Sequence, residues 1–266
     1  MTDHIAFNKL NFTASEAYKL LRANLMFTLS EEKDCHVIGI TSAIRGEGKT
    51  TTAINLAYTF AQTGADVLLI DADMRLPNVA KRLALPGKEG LSNVLAGLCP
   101  LEEALCKSKA LNGFYVLPAG EIPPNPTELL SSKQMRKMID ELSEKMKYII
   151  IDLPPVTVVS DAATLTDVVD AMLIAVRQDY CNKQALDQCV HQLELVNMKI
   201  AGFVMNDVNE SSGTYKKYKR NYKYYKKYGK KYGYYKYGYD KYEYSKYGYG
   251  YGQASDSKSA TEESNK

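Results

Sequence analysis

The chain has 266 residues, 45% hydrophobic and 24% charged, and its 34 Lys and Arg exceed its 31 Asp and Glu for a formal charge of +3. That length suits one large domain or two small ones. No apolar run approaches the ~20 residues of a membrane helix, the N-terminal MTDHIAFNKLNF lacks a basic-then-apolar leader pattern, and five cysteines without a CxxC pair indicate neither a disulfide framework nor a zinc site, so a cytoplasmic location is expected.

In chain order, the first predicted element is a helix over about Ser15–Leu29, within residues 14–29. A strand His36–Ile40 runs through a Gly-rich loop into a helix over Thr51–Gln62. Strands are predicted at Val67–Ile70, Phe114–Leu117, Tyr148–Ile151, Ala171–Val176 and Ile200–Met205. Their nearly continuous Val, Ile and Leu suit strands buried on both faces of a parallel sheet. Helices are predicted over Glu128–Met146, Asp161–Thr166 and Lys183–Val196; in the last, Cys189 and His191 read as a core thiol beside an exposed imidazole rather than a metal pair. Alternation of strand and helix predicts an α/β fold, a doubly wound, mostly parallel sheet that binds ligands at the carboxyl ends of its strands.

After Asn206 the apolar periodicity stops, dividing the chain into a domain over residues 1–210 and a tail over 211–266. The tail concentrates the composition. Sixteen of the 21 tyrosines lie in it: Tyr215, Tyr218, Tyr222, Tyr224, Tyr225, Tyr228, Tyr232, Tyr234, Tyr235, Tyr237, Tyr239, Tyr242, Tyr244, Tyr247, Tyr249 and Tyr251. Within Tyr215–Tyr251, eleven Lys and Arg220 face only Asp240 and Glu243, a charge of +10; residues 252–266 carry −1 and residues 1–214 carry −6. An acidic body is joined to a basic, tyrosine-packed arm.

The loop Arg45, Gly46, Glu47, Gly48, Lys49, Thr50, Thr51 has the makeup of a phosphate cradle. Glycines allow the backbone to turn its N–H groups onto phosphate oxygens, and the following helix points its N-terminus at the same anion. Lys49 would reach the β- and γ-phosphates of ATP and the Thr50 hydroxyl would hold Mg²⁺. The GxxxxGK[ST] pattern is incomplete, because Ala43 occupies its first glycine position. Two strand ends add carboxylates: Asp71 and Asp73, followed by Arg75, after one strand, and Asp152, followed by Pro155, after another. Such a cluster can complete a metal shell and accept a proton from an attacking group.

The Ala43–Thr50, Asp71-x-Asp73-x-Arg75 and Asp152-x-x-Pro155 segments resemble the Walker A, A′ and B motifs of bacterial protein-tyrosine kinases, P-loop NTPases of the deviant-Walker type. More narrowly, with Glu16-x-x-Lys19-x-x-Arg22, the Gly120–Leu130 stretch and the tyrosine cluster, the chain resembles cytoplasmic kinases of capsular and exopolysaccharide synthesis. The resemblance implies tyrosine autophosphorylation with ATP and Mg²⁺, the sixteen tail tyrosines serving as acceptors. It implies Thr50, Asp73 and Asp152 at the metal and Asp71 as the base, the reverse assignment of Asp71 and Asp73 staying open. Arg75 either stabilises the transferring phosphoryl group or pairs with a nearby acid. Glu16, Lys19 and Arg22 would serve oligomer contacts in a homo-oligomeric ring, although Lys19 stands where the family has Arg. A transmembrane polysaccharide co-polymerase is the implied adaptor, recruiting the kinase to the membrane, with a tyrosine phosphatase as a further partner and no specific nucleic acid.

Two other readings remain at this stage. Partitioning and septum-positioning ATPases share the core, but many place a lysine where this chain has Ile44, and they do not usually end in tyrosine clusters. An ATPase with a polyanion-binding arm would use the interleaved Lys and Tyr for phosphate contact and base stacking.

Overall fold

The computed structural model describes residues 10–29, 32–108, 111–159 and 161–209. The tail tyrosines and the far side of the predicted domain boundary lie outside the described residues. All described residues belong to the first of two units into which the chain divides, Met1–Asn209.

Among the described residues, seven strands form one sheet: β1 (His36–Ser42), β2 (Val67–Asp71), β3 (Cys106–Lys107), β4 (Phe114–Leu117), β5 (Tyr148–Asp152), β6 (Ala171–Arg177) and β7 (Ile200–Asn206). Their spatial order is β3-β4-β2-β5-β1-β6-β7, parallel throughout except for the short antiparallel edge strand β3. Every residue of β1, β2 and β5 is buried, as continuous apolar runs require when helices cover both faces. Side chains alternate between two cores. Ile38, Ile40, Leu69 and Ile150 pack with α2 (Lys49–Ala61) and with Leu25 of α1 (Phe12–Thr28). Val37, Leu68, Ile70 and Ile149 pack on the opposite face, against α7 (Lys133–Ser143) and α8 (Lys183–Leu195).

Several boundaries move from the sequence expectation for identifiable reasons. The first helix begins at Phe12 because the Asn11 side chain accepts from the Ala14 N–H at 2.8 Å, an N-cap that fixes a start. The single helix expected over Glu128–Met146 is two, α6 (Pro126–Leu130) and α7. Ser132, extended at ψ 156°, breaks the run and caps α7 by accepting from Met135 N–H at 3.1 Å. The helix expected over Asp161–Thr166 is a 3₁₀ turn over Asp161–Leu165. Three short helices were not anticipated, α3 (Val79–Leu83), α4 (Leu91–Leu95) and α5 (Leu101–Ala104); runs of four or five residues are too short for a periodic signal. As expected, Cys189 is buried and His191 exposed.

α1 lies on α2, and the two are joined by polar contacts. Burial raises the Tyr18 phenol pKa, moderated by hydrogen bonding to Thr52 and Asn55 of α2. Glu16 and Lys19 form a 2.9 Å pair with each other, whereas Arg22 Nη1 donates to the Thr59 carbonyl of α2 at 2.6 Å. At 100° per residue, Arg22 stands 120° around the helix from Glu16. That rotation carries it from the charged stripe onto the neighbouring helix.

Candidate active site

The site forms where β1, β5 and β2, adjacent in the sheet, end together. Parallel register sets Ile40 opposite Asp152 and Asp152 opposite Asp71, so two carboxylates leave neighbouring strands side by side. The chain after β1 turns back over this edge. Gly46 and Gly48 adopt φ of +84° and +89°, left-handed values that L side chains avoid. The loop is fastened to the segment after β5: Thr41 Oγ1 donates to Pro154 O at 2.7 Å, Val156 N to Ser42 O at 3.0 Å, and Thr157 Oγ1 to Ala43 O at 2.5 Å.

Lys49 is the hub. It is 9% exposed, and its Nζ lies 2.7 Å from Asp73 Oδ2 and 3.8 Å from Asp152 Oδ1. Burial alone would lower its pKa, but Asp152 and Asp73 reverse this and raise it, so the ammonium stays charged. Asp152 is fully buried, and neither of its oxygens accepts a hydrogen bond. Burial raises its pKa, opposed by Lys49 and the neighbouring Thr50. Buried oxygens without partners are costly and mark a place where another positive group belongs.

Asp71 is also fully buried but well partnered. Its Oδ1 accepts from Asp73 N–H at 3.2 Å, and its Oδ2 accepts from Asn78 and Val79 N–H at 3.1 and 3.0 Å. Burial, then the Asp152 charge beside it, pushes its carboxyl up to about 7.

The other expected site residues separate. Thr50 stands with Lys49 at the start of α2, while the Thr51 hydroxyl accepts from Arg82 Nη1 at 2.8 Å. The Arg45 side chain is exposed. Glu47 turns inward: it is fully buried, and its Oε2 accepts from Ile44 N–H at 2.8 Å, so only its backbone can face a phosphate. Of the two roles expected for Arg75, this structure shows the pairing with an acid. Its guanidinium is engaged by the buried Asp161, Nε to Oδ2 at 3.0 Å, because that carboxylate needs a positive partner.

The sequence of residues 35–205 matches the AAA domain family. A tyrosine-protein kinase CpsD of Streptococcus agalactiae is 35% identical over 204 residues, covering 76% of this chain and 87% of that protein. Tyrosine-protein kinase YwqD of Bacillus subtilis is 38% identical over 202 residues, covering 76% and 84%. The solved kinase domain of the Escherichia coli tyrosine kinase ETK is 30% identical, with a TM-score of 0.74 over 79% of this chain and 82% of that one. The chain belongs to the bacterial tyrosine-protein kinases.

In this kinase the Gly-rich loop is braced by a side chain that sequence reasoning missed. Asn206, the last residue of β7, donates through Nδ2 to Glu47 O at 2.8 Å and to Thr52 Oγ1 at 3.1 Å. The only sequence signal was a polar residue closing an apolar strand. A Cβ on Gly48 would lie 2.7 Å from that Nδ2. Gly48→Ala therefore combines left-handed strain of about 1–2 kcal/mol with loss of the brace. Thermal melting and equilibrium nucleotide binding are expected to show a lower Tm and an affinity at least about tenfold weaker. Wild-type binding with only a lowered Tm would remove the brace from the kinase's phosphate site.

Proposed function

We propose that this chain is an ATP-dependent protein-tyrosine autokinase that transfers the γ-phosphoryl group to tyrosines of its own C-terminal cluster, in the service of capsular or exopolysaccharide synthesis. The observation that carries the reading is the convergence of Lys49, Thr50, Asp71, Asp73 and Asp152 at one edge of three adjacent strands, with two orphaned Asp152 oxygens beside Thr50.

The residues fit a Mg²⁺·nucleotide: Thr50, Asp152 and Asp73 supply hard oxygen donors, and Lys49 with the loop amides supplies positive potential for the phosphates. Magnesium bound with ATP supplies neutralisation of charge on the phosphate oxygens. The protein's own work is positioning and proton transfer. Lys49, paired with Asp73 in this structure, would hold the phosphates, and Asp73 would be a ligand to the metal. Asp71 takes the proton of the tyrosine hydroxyl; a carboxyl pushed up to about 7 is well matched to that task near neutral pH.

The tyrosine-rich segment 215–251 carries +10, opposite in sign to the site's carboxylates. Each phosphotyrosine adds about −1.5 to −2, so five or six modifications cancel the tail's charge. No helix among the described residues is long and apolar enough to cross a membrane. The reading therefore assigns membrane recruitment to a separate spanning adaptor, self-association in part to α1, and resetting to a tyrosine phosphatase.

Labelled ATP, with and without an adaptor fragment, tests this on the full chain and on a chain truncated after Ser212. Phosphotyrosine is expected in the full chain and nearly absent from the truncation. No phosphotyrosine in the full chain even with the fragment would sink the kinase reading. Label undiminished by truncation would sink the acceptor assignment.

A further inference from the structure

Three distant segments meet around one buried carboxylate that the phosphate chemistry does not use. Asp161, fully buried at the start of the 3₁₀ turn, accepts from Arg75 twice, Nε to Oδ2 at 3.0 Å and Nη2 to Oδ1 at 3.2 Å. Thr127, in α6 directly after the buried Pro126, closes the ring. Its hydroxyl donates to Asp161 Oδ1 at 2.5 Å and accepts from Arg75 Nη2 at 2.9 Å. Both Asp161 oxygens are thus partnered, the opposite of Asp152.

Arg75 lies two residues beyond Asp73 and four beyond Asp71. The intervening chain is a tight turn: Leu76 N–H donates to Asp73 Oδ1 at 3.1 Å and to its carbonyl at 3.2 Å, and Asp73 N–H donates to Asp71 Oδ1. A guanidinium held along its Nε–Nη2 edge by both oxygens of one carboxylate, with Nη2 shared by the Thr127 hydroxyl, has little orientational freedom. Fixing that head therefore fixes the turn from its far end, while Lys49 holds the near end at Asp73 Oδ2.

We propose that Asp161 and Thr127 are positioning residues of the phosphoryl-transfer site: they latch Arg75, and through it hold the Asp73 turn in register with Lys49. The inference rests on the kinase reading above for its catalytic consequence. Neither residue touches the reacting atoms. Arg75 acts through the chain it terminates, and its charge is spent on Asp161.

The test uses the full chain with Asp161→Asn, Arg75→Lys, their double variant, Thr127→Val and Thr127→Ser. Asp161→Asn and Arg75→Lys are each expected to lower kcat roughly ten- to a hundredfold, since small misplacements at reacting centres cost that much, with KM for ATP within about threefold. The double variant is expected to be no worse than the poorer single one by more than about twofold, because residues acting as one unit are not additive. Thr127→Ser should keep the wild-type rate and Thr127→Val should lose it. Hydrogen exchange at the Asp73 and Leu76 amides should speed about tenfold in Asp161→Asn and Thr127→Val. Losses that multiply in the double variant would mean that Arg75 acts on the substrate itself, and would overturn the latch. Exchange unchanged in both variants would overturn it as well. If Asp161→Asn does not fold, the Thr127 pair carries the same comparison. A wild-type chain that forms no phosphotyrosine sinks the kinase reading alone, and amide exchange then decides the latch.

Discussion

Replacing Lys49 by Met is expected to lower phosphotyrosine formation about a thousandfold or more, the scale at which losing a charged phosphoryl-stabilising group acts. Methionine keeps much of the stem but not the charge. In the nucleotide-free protein the same change strands Asp73, whose Oδ2 is held at 2.7 Å, and removes the main charge opposing the burial of Asp152. Breaking a buried pair by deleting one partner costs roughly 3–5 kcal/mol. That cost depends on pH. Without the ammonium, the buried Asp152 carboxyl takes up a proton more readily, so acid relieves the penalty. The Tm deficit of Lys49→Met should be larger at pH 8 than at pH 5. An equal deficit at both would mean that the lost interaction is packing of the stem rather than charge.

The second large effect separates stability from activity. Asp152→Asn removes a fully buried charge whose favourable contacts are the Lys49 ammonium at 3.8 Å and the neighbouring Thr50. Asp71, pushed up to about 7, binds protons more tightly folded than unfolded. Its contribution is fully present below about pH 4 and is lost as pH rises through about 7. Asp152, raised by its burial, acts in the same sense. Neutralising it removes its own cost and also one cause of the Asp71 shift. The variant without nucleotide should be more stable than wild type by about 1–2 kcal/mol at pH 8, a Tm gain of roughly 2–8 °C, shrinking towards acid. Kinase activity should fall at least about a hundredfold, because the proposed function makes Asp152 a donor to the metal. Melting curves across pH check the first expectation and ATP labelling the second. A variant less stable than wild type at pH 8 would show that the Lys49 contact outweighs the burial cost.

This opposition explains what was legible beforehand. Strands β1, β2 and β5 announced themselves because a strand covered on both faces must be apolar throughout, and the acids that close β2 and β5 stood out against those runs. Strand register is a long-range property, yet it decides that Asp71 and Asp152 stand side by side. The spacing of two motifs roughly eighty residues apart does not contain it. The inward turn of Glu47, and which acid would capture Arg75, were hidden for the same reason. Each charged residue had a local reading, at a phosphate, and a tertiary one, beside a partner far along the chain. Burial favoured the tertiary partner. Glu128–Met146 failed in the other direction, where a cap at Ser132 overrode continuous helical propensity.

The strand order also sets when the site can exist. The central strand β1 pairs with β5 and β6, His36 with Tyr148 and Ile38 with Ala171, each more than a hundred residues downstream. During synthesis the phosphate loop is made early and waits, its strand unpaired, until β5 emerges. Closing such long loops is entropically costly and slow. Until then the chain exposes an apolar segment that invites wrong pairing. The nucleotide site is thus among the last features to form. A chain arrested before Tyr148 carries the complete Gly-rich loop and lacks the neighbouring strand that brings Asp152, so a nucleotide bound as proposed could stabilise only molecules whose sheet is already assembled.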